Sequence, residues 1–160
     1  MTMISEGIRR KDLKRLEEIL RSTGFFYEFE IRTALEIADE TISEGMEKSG
    51  YYWVKVTDGK EIVAFANYGK NAFSTHSWDL YWIAVHQDSR HMKFGSALLK
   101  AIEDNVRKAG GKILWIETSG RPLYASTEGF YQRNGYELQA SLKDFYGPGD
   151  PKQIYAKFLQ

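Results

Sequence analysis

The sequence predicts an α/β protein of the α+β type, with a mixed, mostly antiparallel central sheet of about six to seven strands flanked by about four helices. Three observations favour this class. Residues 78–118 read as strand, helix and strand with short links, which indicates a crossover between two parallel strands. Two apolar runs within 51–68 are joined by Asp58-Gly59, a hairpin signal. A second hairpin is predicted over 136–159, around a Gly-Pro-Gly-Asp turn.

Two helices are predicted before the first hairpin. Asp12 is a good N-cap for the first, whose apolar stripe ends near Gly24. The second has an apolar face over 31–42 and stops at Gly45. We expect the aromatic link between them to pack onto the core; it consists of Phe25, Phe26 and Tyr27. Residues 1–11 are polar and are expected to fray.

The central segment is the most informative. Residues 78–85 are rich in aromatic and β-branched side chains, as a buried strand requires. A short basic turn follows, and apolar residues at helical spacing then run from 94 to 109. The free N–H groups of this helix start, flanked by cations, predict an anion site and most naturally a phosphate site.

The remaining chain continues the alternation. Residues 112–118 read as a strand, and 126–134 as a short helix that Gly135 ends in a left-handed conformation. No linker or repeat interrupts the chain, so we expect a single domain over residues 1–160.

Composition excludes several classes of function. Lys and Arg number 22, as do Asp and Glu, which argues against a general nucleic-acid or membrane-surface binder. There is no cysteine, so thiolate metal sites and a cysteine nucleophile are excluded, and the three histidines lack zinc-site spacing on a helix. No apolar run is long enough to span a bilayer. We expect a cytoplasmic protein without a metal.

Two motifs carry a family resemblance. The segment Arg90-His91-Met92-Lys93-Phe94-Gly95 resembles the R-x-x-G-x-G/A pyrophosphate loop of the GNAT superfamily of N-acetyltransferases. The segment 130–136 (FYQRNGY) resembles the F/L-Y-x-x-x-G-F/Y segment of the same superfamily. Both occur in the expected order on the expected elements, and the resemblance covers nearly the whole chain from Tyr51.

The resemblance implies that acetyl-CoA is the cofactor. The backbone of the turn and helix start would cradle its pyrophosphate, through Arg90, His91, Met92, Lys93, Phe94, Gly95 and Ser96. In the family the central parallel strands splay and the pantetheine arm pairs with the first of them, here at Ile83, Ala84 and Val85. Tyr124 stands where many members have a pantetheine-binding Asn.

The resemblance also implies the catalytic groups. Tyr131 matches the Tyr that protonates the departing thiolate, and a phenol with a pKa of about 10 can donate at neutral pH. Asp79 and Glu117 are alternative bases for the incoming ammonium, and Tyr81 shares the face of Asp79. Packing or salt-bridge roles are the alternatives for all of them.

Two departures from the family pattern set specific questions. Lys93 replaces a loop glycine, so it either adopts an ordinary φ or accepts left-handed strain of roughly 1 kcal/mol. In compensation, Lys93 and Arg90 would add positive charge near the phosphates. The usual opening strand of the fold is hard to find, and only residues 4–8 could form it.

The acceptor pocket is expected beside the link of the first helices and the last hairpin. Candidate contacts are Phe25, Phe26, Tyr27, Tyr81, Arg121, Tyr146 and Asp150. The leading prediction is acetyl transfer by direct attack of a small primary amine or amino acid. Acetylation of a protein amine and a non-catalytic acyl-CoA sensor are the alternatives. The exposed aromatics would permit a homodimer.

Overall fold

The structure is a computed structural model that describes all 160 residues. It contains seven strands, five α-helices and three 3₁₀ turns. The strands are β1 (Thr2–Glu6), β2 (Tyr52–Asp58), β3 (Glu61–Lys70), β4 (Ser77–Val85), β5 (Ile113–Ser119), β6 (Glu137–Gly147) and β7 (Asp150–Phe158). The helices are α1 (Leu13–Thr23), α2 (Glu28–Glu44), α3 (Met46–Ser49), α4 (Phe94–Lys108) and α5 (Ala125–Arg133), and the 3₁₀ turns are Arg10–Asp12, Gln87–Met92 and Pro122–Tyr124.

The strands form one mixed sheet in the order β1-β2-β3-β4-β5-β7-β6. Strands β4 and β5 are parallel, in a register that runs from Ser77–Ile113 to Leu80–Ile116. The pairs β1–β2, β2–β3, β5–β7 and β6–β7 are antiparallel. The predicted fold class is confirmed, including the parallel pair within a mostly antiparallel sheet.

The chain divides into two compact units, and the first consists of Met1–Gly69 and Tyr81–Ile102. The apolar stripe of α1 is buried against α2 and against side chains of β2, β3 and β4, among them Trp53, Phe65 and Ala84. Trp53 also donates its indole N–H to the Thr41 hydroxyl at 3.0 Å. Helices α1 and α2 therefore pack on this unit's strands, as their stripes predict.

The second unit consists of Lys70–Leu80 and Glu103–Gln160. Leu114, Ile116 and Tyr155 are fully buried on β5 and β7. Glu103, at 5% exposure, accepts hydrogen bonds from the Tyr136 hydroxyl and from Lys157 Nζ, both at 2.9 Å. The buried carboxylate is thus paired, as burial of a charge requires, and it joins α4 to β7 and to the residue just before β6.

The prediction that residues 1–11 fray is wrong for the first strand. β1 pairs antiparallel with β2 along its whole length, from Thr2–Asp58 to Glu6–Val54. Its side chains are mostly exposed, so no apolar pattern signals it. Backbone hydrogen bonds to β2 supply the order instead.

Asp12 does not cap α1, contrary to its prediction as the N-cap. It has helical backbone angles, and its side chain makes no capping bond to α1. Its carboxylate accepts from the backbone N–H of Arg9 at 2.8 Å and from Lys55 Nζ at 3.1 Å. Lys55 is itself buried on β2, and pairing this charge outweighs a helix cap.

The single turn α3 was not predicted. It lies between Gly45, with φ 88°, and Gly50, with φ 79°, so two glycines bound a segment too short for a periodicity signal. None of the helices combines the length and the apolar character that crossing a membrane requires.

Candidate active site

The predicted pyrophosphate loop begins with a 3₁₀ turn and ends at the start of α4. Lys93 lies between them with φ 59° and ψ 25°, a left-handed conformation. Helical residues followed by a left-handed one form a nest of backbone N–H groups, an anion-binding concavity. The first N–H groups of α4 have no intrahelical acceptor and add to it. Of the two alternatives for Lys93, the strained one is therefore found.

Helix α1 anchors this loop. The Arg90 guanidinium donates to the carbonyl oxygen of Thr23 at 2.7 Å and lies 5.5 Å from the centroid of the Phe25 ring. The backbone N–H of Gln87 donates to the Ser22 hydroxyl at 3.2 Å. Arg90 is therefore engaged by the end of α1 and the link after it. His91, Met92 and Lys93 are exposed, whereas Phe94 and Gly95 are buried and Ser96 is half-buried.

The end of β4 presents backbone groups away from β3. The N–H of His86 donates to the carbonyl of Val63 at 2.8 Å, so His86 faces β3. Backbone direction alternates along a strand, and the N–H groups of Val85 and Ile83 therefore point away from β3. Ala84 is buried, and the side chains of Ile83 and Val85 are half-buried.

Tyr131 lies on α5 within a cluster of aromatic rings. Its ring centroid is 5.3 Å from that of Phe130, 6.1 Å from that of Tyr136 and 5.9 Å from that of Tyr155. Burial raises the pKa of Tyr131, and the neighbouring Tyr124 and Tyr155 add to the rise. The phenol therefore keeps its proton at neutral pH. Gly135 has φ 89° just after α5, which confirms the predicted left-handed end.

Asp79 is a half-buried carboxylate on β4. One of its oxygens accepts from the Asn71 side-chain amide at 3.0 Å. Burial raises the pKa of Asp79, the Asn71 hydrogen bond partly offsets this, and the charge of Glu117 raises it further. A carboxyl group of this kind is a stronger base than an ordinary aspartate.

Glu117, the alternative base, is engaged differently. Its carboxylate forms an ion pair with Lys152 Nζ at 2.7 Å, and its side chain is 55% exposed. The two candidate bases therefore differ in setting, since Asp79 is half-buried and Glu117 is exposed in an ion pair.

Arg121 and Asp150 face each other rather than presenting two separate charges. Arg121 Nε lies 3.4 Å from an oxygen of Asp150. The Ser119 hydroxyl donates to the same carboxylate and accepts from the Arg121 backbone N–H at 3.1 Å. Arg121 also lies over the Tyr124 ring, at 5.4 Å. This arrangement neutralises Arg121 locally.

Each of the remaining candidate substrate contacts packs on neighbours within its own unit. Phe26 packs against the core beneath α1 and α2, as expected of the aromatic link. Tyr27 is exposed and stacks on Phe29 at 5.5 Å. Tyr81 meets Tyr51 edge-on at 5.5 Å, and Tyr146 meets Phe145 edge-on at 5.0 Å.

Comparison with known proteins decides the family. The family model described as the acetyltransferase (GNAT) family matches residues 13–136. The chain belongs to the GNAT acetyltransferase family. A crystal structure from Desulfovibrio desulfuricans assigned to the GNAT family is 36% identical, covers 100% of both chains and superposes with a TM-score of 0.96. No curated protein matches by sequence.

More distant structures share the fold of this GNAT acetyltransferase. An aminoglycoside 6′-N-acetyltransferase complexed with coenzyme A is 21% identical, covers 99% of this chain and 97% of its own, and has a TM-score of 0.77. The ribosomal-protein-S18-alanine N-acetyltransferase from Escherichia coli is 21% identical, covers 100% of this chain and 95% of its own, and has a TM-score of 0.76. Family membership makes this protein an acyltransferase that uses acetyl-CoA.

The residues present fit that cofactor. Pyrophosphate requires convergent N–H donors and positive charge. The nest at Lys93, the open N-terminus of α4 and the exposed Lys93 side chain supply them. A thioester arm requires unpaired strand backbone, which Ile83 and Val85 offer.

Sequence reasoning missed three polar residues that hold these groups. Asn71 bonds Asp79, Lys152 pairs with Glu117, and Ser119 joins Asp150 to Arg121. Each lies many residues from its partner, or in a loop or strand whose pairing is set by the fold. A polar side chain within an apolar strand is the one local pattern that would mark such a residue in the sequence. None of these three residues has that setting.

Proposed function

We propose that the protein transfers the acetyl group of acetyl-CoA to a primary amine of a small molecule by direct attack. Acetyl-CoA supplies an activated acetyl thioester. The observation that carries the proposal is the contrast between two titratable groups of the second unit. Asp79 is a carboxylate with a raised pKa, and Tyr131 is a phenol that stays protonated. Groups of this kind serve as base and acid respectively.

Each group has one proton to move. An alkyl ammonium has a pKa of about 10.4 and must lose a proton before it can attack. Asp79 accepts that proton, directly or through a water molecule. Tyr131 donates its phenolic proton to the departing sulfur, and the second proton that the nitrogen loses as the amide forms restores the phenol, so that the acetylated amine and the CoA thiol are released. In the first unit, the N–H groups of Ile83 and Val85, which point away from β3, are suited to pair with the pantetheine arm.

Charge favours an amine without a carboxylate. Asp79 and Glu117 are acidic groups that interact with each other, and a cationic acceptor would relieve their repulsion. Arg121, the candidate for binding a carboxylate, is already paired with Asp150. We therefore infer a small amine or polyamine rather than an amino acid. The cytoplasmic location and the homodimer stay predictions.

The test is acetyl-CoA turnover with a matched panel of amines. A thiol-reactive dye would follow release of CoA with an alkyl diamine, an amino acid, a tripeptide with a free N-terminus, and no amine. We expect the diamine to react fastest. Turnover with the tripeptide alone would overturn the small-molecule proposal in favour of a protein substrate. Tight acetyl-CoA binding without turnover on any amine would indicate a sensor.

A further inference from the structure

Strand β4 and the residue after it use one residue more than the β3 side to span the same two hydrogen bonds. The N–H of Asn71 donates to the carbonyl of Ser77 at 3.0 Å, and that of His86 donates to the carbonyl of Val63 at 2.8 Å. Between these bonds the chain takes eight steps on the β3 side, from 63 to 71, and nine on the β4 side, from 77 to 86. A regular antiparallel pair has equal numbers, so β4 carries a one-residue bulge.

The bulge lies opposite Asn67. The backbone N–H of Trp82 donates to the side-chain oxygen of Asn67 at 2.8 Å. A Cβ built on Gly69 would lie 3.0 Å from the Tyr81 ring, which places that ring on the face of Gly69.

Trp82 lies on the same face, because it packs on the cluster that contains Phe65. Phe65, Asn67 and Gly69 share one face of β3 by alternation. Tyr81 and Trp82 are consecutive and yet lie on the same side, as the two residues of a bulge do.

The bulge decides which backbone groups of β4 point away from β3. Ser77 and His86 both bond to the β3 side of the chain. Backbone groups of alternate residues point the same way along a regular strand. Without the extra residue, the N–H groups of Ile83 and Val85 would therefore point in the same direction as the backbone of Ser77, toward β3. With it, their N–H groups face the other way and are available to a ligand.

Asn67 holds this arrangement at an energetic cost. The residue is fully buried, and its side-chain nitrogen has no hydrogen-bond partner. Asn is also unfavourable within strands, and a buried unpaired N–H destabilises the fold. Leu would fill similar space without either penalty, so the position is not explained by packing.

We propose that Asn67 is a positioning residue that sets the backbone phase of β4, so that Ile83 and Val85 present their N–H groups to acetyl-CoA. The proposal rests on the proposed function for its ligand. It assigns to Asn67 a role that acts through the β4 backbone, without contact with the cofactor.

The test compares three Asn67 variants and one control variant with the wild type. Asn67→Leu removes the acceptor, and Asn67→Ser falls short of the Trp82 N–H and serves if the Leu variant does not fold. Asn67→Asp keeps an acceptor oxygen. Phe65→Leu is the control, since it loosens the same buried face of β3 but leaves the Asn67 side chain that accepts from the Trp82 N–H. Acetyl-CoA binding is measured by titration calorimetry, and exchange of the Trp82 amide proton by NMR.

We expect the Leu and Ser variants to bind acetyl-CoA about tenfold more weakly, the scale of one hydrogen bond, and to lose protection at Trp82. The Asp variant should recover most of the affinity, and the Phe65→Leu control should stay within about twofold. Wild-type affinity in the Leu or Ser variant would overturn the inference while leaving the proposed function intact. If the wild type bound no acetyl-CoA, the proposed function would fail, and unchanged Trp82 exchange in the variants would overturn the role of Asn67 independently.

Discussion

At the scale of the residue, a substitution at Tyr131 can separate the loss of a proton donor from the loss of packing. Its ring is enclosed by other aromatic rings, and Phe would preserve those contacts. We expect Tyr131→Phe to lower turnover by about 10²-fold, the usual contribution of a positioned acid, with acetyl-CoA affinity nearly unchanged. Steady-state kinetics and calorimetry would measure the two effects. Tyr155→Phe, which removes a neighbouring phenol, is the control and should retain activity. Equal losses in both variants would assign the effect to packing.

The raised pKa of Asp79 predicts how the turnover rate depends on pH. Burial raises the pKa of its carboxyl group, and the charge of Glu117 adds to the rise. As pH falls, Asp79 therefore becomes protonated and stops acting as a base at a pH above the ordinary aspartate pKa. We expect an acidic limb in the pH profile of turnover for the wild type. Asp79→Asn should lower the rate and remove that limb.

Glu117→Gln is the matched control for Asp79. It removes a charge that raises the pKa of Asp79, so the limb should move to lower pH without vanishing. An acidic limb unchanged in Asp79→Asn would exclude Asp79 as the base.

Lys93 shows how far a single residue in the sequence can predict local structure. The missing loop glycine posed a definite choice between an ordinary and a left-handed backbone, and the structure has φ 59°. A lysine side chain disfavours the left-handed conformation, so the sequence alone could not predict it. Arg90 shows the same limit, since its partner Thr23 lies far away in sequence.

At the scale of the element, the pair Asp12–Lys55 ties the start of α1 to β2. Both side chains are about nine-tenths buried, 3.1 Å apart. Removing one partner leaves an uncompensated charge, so Asp12→Ala should destabilise the protein by about 3 kcal/mol. Denaturant unfolding would measure this. The double variant Asp12→Ala with Lys55→Met should recover part of the loss, and simple additivity would contradict the coupling.

The same pair sets an acid dependence of stability. Burial raises the pKa of Asp12, but the hydrogen bonds from Arg9 and Lys55 outweigh it, and the net pKa is lowered. A lowered folded pKa means that the contribution is complete above the unfolded pKa of about 3.9 and is lost as pH falls below it. Asp12→Asn should therefore flatten the decline of unfolding free energy below about pH 4.

At the scale of the whole molecule, the sequence predicted what local patterns encode. The hairpin at Asp58-Gly59, the helix start at Phe94 and the end of α5 at Gly135 all depend on neighbours in the chain, and they are found. Strand β1 and the bulge opposite Asn67 depend on pairing with distant strands, and no local pattern announces them. The single acetyltransferase domain over 1–160 stays a prediction.

The coupling between CoA binding and folding predicts a rise in melting temperature. A ligand that binds only the folded state stabilises it by about 2.7 kcal/mol at 100 times its Kd, which for a chain of this size raises Tm by roughly 5–10 °C. We expect CoA to do so in calorimetric melting, and added salt to reduce the shift because the phosphates are held partly by charge.

Lys93→Gln should give a smaller, less salt-sensitive shift at the same CoA concentration. Lys108→Gln, at the other end of α4, should match the wild type. Shifts of equal size in both variants would remove Lys93 from the phosphate site, and the nest of backbone N–H groups would then hold the pyrophosphate without help from that side chain.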